Sequence, residues 1–123
     1  MKSYTDLEQS KKLAEILPIE SADMCYVIDY AESNKYGTDH FNLEIDTYGL
    51  KVITRDNIPC WSLAALLSVL PEGTRLLKAT NISSIGDTKY HCDCPKGNID
   101  DWFDNPVDAC YEMIIELNEL KRL

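Results

Sequence analysis

Residues 58–71, Ile58-Pro59-Cys60-Trp61-Ser62-Leu63-Ala64-Ala65-Leu66-Leu67-Ser68-Val69-Leu70-Pro71, form the longest apolar run of the chain and carry a proline near each end. Only Ser62 and Ser68 interrupt it. Pro59 suits a first helical position, where its missing N–H has no intrahelical bond to lose, Asp56 or Asn57 can cap that turn, and Pro71 with Gly73 ends it. The run predicts a helix that is apolar nearly all round, which must be covered on most sides. About 12 residues falls far short of the roughly 20 that span a bilayer. A buried central helix wrapped by the other segments is therefore the expectation.

The segments on either side supply the wrapping. Thr5-Asp6-Leu7-Glu8 has the form of a capping box ahead of Leu13, Ala14, Ile16 and Leu17, and Pro18 stops that first amphipathic helix. Residues 24–30 are apolar on both faces and read as an inner strand, and residues 33–39 as a turn. Residues 40–47 alternate, with Phe41, Leu43 and Ile45 on one side and Asn42, Glu44 and Asp46 on the other, and residues 50–55 read as a third strand. Short connections make the three antiparallel. Beyond the central helix, residues 75–80 and 88–94 are strands. Asn105, Pro106 and Asp108 then supply cap, first-position proline and first-turn acid for a last helix reaching about Lys121.

The chain of 123 residues is thus expected to be one α+β domain, with an antiparallel sheet of four to five strands and element order α-βββ-α-ββ-α. The central helix and the two terminal helices pack mainly on one face. The expected core is Leu13, Leu17, Val27, Phe41, Leu43, Ile45, Val52, Trp61, Leu63, Leu66, Leu67, Leu70, Leu76, Ile114 and Leu117.

Twelve basic against twenty-one acidic residues leave a net charge of −9, the wrong sign for holding phosphates or an anionic membrane. Five cysteines and an N-terminal stretch without an apolar signal core point to reduced thiols and the cytosol. Rossmann, P-loop, nucleophile-elbow and metalloprotease patterns are missing, so no cofactor is expected.

Three constellations carry possible chemistry. Cys60, read at the N-terminal turn of the central helix, would have its thiolate stabilised there, and His91 with Asp46 or Asp93 could act as base, as in a thiol-dependent hydrolase. The glycine and the upstream glutamine that accompany such a cysteine in papain-like enzymes are absent. His91, Cys92 and Cys94 are zinc-type ligands, but a strand sends His91 and Asp93 to the face opposite the two thiols, and their spacing is too short for a usual structural site. Asp100, Asp101, Trp102, Phe103 and Asp104 set aromatics among acids, and Asp108, Glu112, Glu116 and Glu119 continue the charge along the last helix. That pattern suits an acidic face for a basic partner, against the plain alternative of a solvated helix side with both aromatics in the core.

Residues 13–24, 58–67 and 104–110 resemble a group of small uncharacterised proteins carried by gut Bacteroidales and their phages or mobile elements. The resemblance implies an accessory protein that binds another protein, and it brings no activity or site residue with it. Protein binding through Asp100, Asp101, Trp102, Asp104, Asp108, Glu112 and Glu116 is the preferred expectation. The Cys60–His91 hydrolase and a zinc site at His91, Cys92 and Cys94 stand as alternatives.

Overall fold

Asp6 accepts a hydrogen bond from the Gln9 backbone N–H at 2.8 Å, and the Gln9 side chain accepts the Asp6 N–H at 3.1 Å; this closed box starts the first helix, α1 (Leu7–Ala14). The cap therefore stands one residue later than Thr5, whose side chain is buried instead. The computed structural model describes residues 2–44, 57–80 and 88–123. Sequence expectations at Ile45, Val52, Asp46 and Asp56, for strand 50–55 and for the loop 81–87 lie outside the described residues.

The remaining elements are a 3-10 turn (Ile19–Ser21), β1 (Met24–Ile28), α2 (Tyr30–Tyr36), β2 (Phe41–Glu44), β3 (Asn57–Cys60), α3 (Leu63–Val69), β4 (Arg75–Thr80), β5 (Thr88–Asp93) and α4 (Pro106–Glu119). Setting aside the short α2, the order among the described residues is the α-βββ-α-ββ-α of an α+β protein, with five antiparallel strands among them. Among the described residues they do not join into the single sheet expected. Strands β2-β1-β3 form one sheet and β4-β5 another. The chain folds as two compact units, one of residues 6–62 and one of residues 1–5 with 63–123.

In the unit of residues 6–62, β1 is the middle strand, pairing Tyr26 with Leu43 on one side and with Ile58 on the other, and α1 packs on β3. Residues 57–60 are strand, not helix. Pro59 tolerates this place because β3 pairs with β1 alone among the described residues, an edge position where a missing N–H costs least. The Asp23 carboxylate then ties down the end of this segment, accepting the Ser62 backbone N–H at 2.9 Å and the Ser62 hydroxyl. Trp61 is fully buried, its indole N–H donating to Ser21 Oγ at 2.9 Å.

Helix α2 occupies residues expected to close β1 and form a turn. Asp29 caps it by accepting the Glu32 N–H at 3.0 Å, and Gly37 ends it in the left-handed region at φ 73°. No α2 residue is buried, so it has no apolar stripe for a periodicity reading to find.

In the other unit, β4 and β5 form a hairpin with Leu76 opposite Cys92, and α4 packs on β5 and on α3. The N-terminus of α4 forms as the sequence predicts: Asn105 accepts the Asp108 N–H at 2.9 Å, with Pro106 at the first position. Val107, Ala109, Cys110, Met113, Ile114 and Leu117 face inward along it. Helix α3 is only half covered, however. Ala65 and Leu66 are buried, whereas Ala64, Leu67 and Ser68 are exposed, which corrects the expectation of a helix wrapped on most sides. Of the other expected core residues, Leu13, Leu17, Trp61, Leu70, Ile114 and Leu117 are buried, while Val27, Phe41, Leu43, Leu63 and Leu76 are partly exposed.

Candidate functional site

Strand β5 places His91 and Cys92 on opposite sides because successive side chains alternate along a strand. Cys92 and Cys94 point inward and are buried, while His91 is partly exposed. The segment after the Cys94–Gly97 turn returns along β5 and pairs with it at one point: Tyr90 N–H donates to Phe103 O and Phe103 N–H to Tyr90 O, both at 2.8 Å. That pairing fixes Trp102 beside His91. Their rings stack with centroids 5.2 Å apart at 29°, and His91 Nδ1 lies 3.1 Å from the Asp101 carbonyl.

Trp102 keeps 45% of its surface exposed, so the indole is a ledge on the outside, with Phe103 half-buried beside it. Asp100, Asp101 and Asp104 flank it and are exposed. Asp104 pairs with Lys89 of β5. On α4, Asp108 accepts from Lys2 Nζ at 2.9 Å and from Asn105 Nδ2 at 2.8 Å.

The chain's own lysines thus offset Asp104 and Asp108, two of the six acids expected to form the face with Trp102. Glu112 of α4 is exposed, and its carboxyl is held above the usual range for glutamate, first by the part of it that the fold covers and then by the negative charges of Asp108, Asp101 and Glu119. Asp101, Asp108 and Glu112 therefore share one field although two come from a helix and one from the loop before it. Glu116 lies one turn further along α4, half-buried.

Cys60 is not where its proposed chemistry needs it. It ends β3 and is fully buried, and α3 begins only at Leu63, so the thiol does not sit in a first helical turn. His91 belongs to the other unit. For His91, Cys92 and Cys94, strand alternation separates the imidazole from the two thiols, and no group of three or more histidine, cysteine or carboxylate side chains among the described residues is arranged to hold a metal ion.

Sequence reasoning missed the lysines that answer Asp104 and Asp108. No local signal marks such pairs: Lys2 and Asp108 meet across 106 positions of chain. No helix among the described residues is long and apolar enough to cross a membrane. No family model, curated protein or solved structure matches the chain.

Proposed function

We propose that this chain is a small acidic accessory protein of the cytosol that works by binding a basic protein through the face built of Asp100, Asp101, Trp102, Asp104, Asp108, Glu112 and Glu116. The observation that carries the reading is the half-exposed Trp102, stacked on His91 and next in the chain to the exposed carboxylates of Asp100 and Asp101. An aromatic ledge supplies contact area that desolvates well, and the acids around it steer a cationic surface and disfavour an anionic one. Arginine or lysine laid over the indole would gain cation–π attraction in addition. A net charge of −9 extends the steering beyond the face and opposes nucleic acid or an anionic membrane as partner. The odd count of five cysteines supports a reducing compartment.

The test is capture of a partner from a lysate of the producing cell at low and at high salt, with tagged wild type and with Asp100, Asp101 and Asp104 changed together to asparagine. Retention at low salt that fades as salt screens the charges, and that the triple variant loses, is the expected result. A partner held equally well by the triple variant removes the acidic face from the account.

A further inference from the structure

The turn that follows β5 carries charge of the opposite sign. Cys94 O accepts the Gly97 N–H at 3.3 Å, which makes Pro95 and Lys96 the two central residues of a tight turn, with proline in the first of these places where its fixed φ fits. The turn is seated from two sides. Gly97 lies against Met113 and Leu117 of α4, and a Cβ on Gly73 would come within 3.1 Å of Pro95 Cγ. Lys96 at its tip is exposed.

Helix α4 delivers a second cation to the same place. Leu120 N–H donates to Glu116 O at 3.0 Å, Lys121 N–H to Asn118 O at 3.1 Å and Arg122 N–H to Leu117 O at 2.8 Å, the bonds of a Schellman end in which Lys121, at φ 57°, takes the left-handed position that glycine usually fills. The chain so turned brings Arg122 to the turn at Lys96, where its Nη1 donates to Lys96 O at 3.0 Å. Pro95, Lys96 and Arg122 line an open cleft of about 340 Å³.

Acids outnumber bases by 21 to 12 in this chain, and Lys2, Lys11, Lys12, Arg75 and Lys89 all stand beside carboxylates. Lys96 and Arg122 pair with no carboxylate among the described residues. We propose that this cleft binds a small oxyanion of the phosphate type between the Arg122 guanidinium and the Lys96 ammonium. The bond to Lys96 O orients the guanidinium and leaves its other N–H groups for phosphoryl oxygens, while the ammonium adds a point charge beside them. The negative end of α4 opposes an anion, but the carbonyls of Glu116, Leu117 and Asn118 are already taken by the backbone bonds of the helix end. The net charge of −9 acts against a polyanion, which meets the field of the whole chain, far more than against one oxyanion in contact with two cations. Helix α4 has 14 residues and is about 21 Å long, and the cleft lies at its far end from Asn105 and Asp108. The site does not rest on the proposed binding face.

Labelled protein titrated with inorganic phosphate at pH 7, with ionic strength held constant by chloride, tests the site by NMR. The amide resonances of Lys96, Gly97 and Arg122 should move along a saturating curve in the millimolar range, while the Trp102 indole resonance stays in place. Arg122→Ala and Lys96→Ala should each weaken binding about fivefold or more, whereas Lys78→Ala, which removes the same charge from an exposed position on β4, should weaken it less than about twofold. Both cleft side chains are exposed, so neither variant disturbs the core. Glycerol phosphate distinguishes the source: equal affinity makes the phosphoryl group the ligand, and its exclusion narrows the ligand to the free ion. Shifts that rise without saturation, that chloride alone reproduces, or that all three substitutions weaken equally overturn the site and leave only diffuse counterions around surface cations.

Discussion

A methyl group added at Gly97 should destabilise the protein through one crowded spot under the turn that precedes Trp102. A Cβ there would meet Met113 Sδ at 2.7 Å and Leu117 Cδ2 at 3.0 Å, both well inside the 3.5–4.0 Å at which such atoms attract. Gly97 does not have positive φ, so alanine suffers no backbone penalty and the effect is one of packing. Met113 is 1% and Leu117 0% exposed; neither side chain has free solvent to swing into. Overpacking of this kind costs about 1–3 kcal/mol, and the lower entropy of unfolded alanine returns about 0.4–1 kcal/mol. A net loss of about 1–2 kcal/mol lowers the melting temperature by roughly 4–8 °C if the 123 residues unfold together. Thermal melts followed by circular dichroism measure it. In the double variant with Met113→Ala the vacated space should admit the new methyl, so the loss should fall short of the sum of the single losses by at least about 0.5 kcal/mol. Gly97→Ala melting at or above wild type, or strict additivity, would refute the packing of the turn against α4.

Three further perturbations test the frame that holds the face. Leu66→Ala should cost about 2–5 kcal/mol in denaturant unfolding because Leu66 is fully buried beneath a half-exposed helix, and a loss below about 0.5 kcal/mol would put it at the surface. Asn105→Ala removes the acceptor for the Asp108 N–H and should lower stability by about 1 kcal/mol; an unchanged melt would show that the cap does not hold the start of α4. Glu112→Gln should raise stability at pH 7 by about 0.5 kcal/mol, since it deletes a carboxylate crowded by Asp108, Asp101 and Glu119. The sign follows from the raised folded pKa: the neutral form is the favoured one, its contribution is complete below the unfolded glutamate value, and it is lost as pH rises through the folded value. The advantage of the variant should therefore shrink to nothing as wild type is taken below about pH 4, and a variant less stable than wild type at pH 7 would contradict the shared field.

Local chemistry made some elements legible and hid others. Asn105-Pro106 carries its own start signal, which is why α4 begins where the sequence places it, and β4 occupies the expected residues 75–80. Residues 57–62 misled because proline followed by apolar side chains suits both a helix start and an edge strand, and the partner strand β1 decides between them from thirty to thirty-six positions away. Helix α2 had readable ends in Asp29 and Gly37 but no apolar stripe between them. At the candidate site, strand alternation correctly set His91 apart from Cys92. The stack of His91 on Trp102 and the lysines on Asp104 and Asp108 depend on which segments fold against each other, and such pairings leave no trace in local spacing.

The central claim is that the ledge at Trp102 is where a basic protein docks, and the two tryptophans provide the most direct measurement of it. The Trp61 indole is buried and bonded to Ser21, whereas the Trp102 indole is half-exposed on the face, so their N–H resonances report the interior and the site separately. Labelled protein titrated at low salt with the partner recovered by capture should shift or broaden the Trp102 indole resonance while that of Trp61 stays in place, and the change should vanish when Asp100, Asp101 and Asp104 are asparagine. A Trp102 resonance unmoved at saturation, with perturbations elsewhere on the surface, would contradict the account.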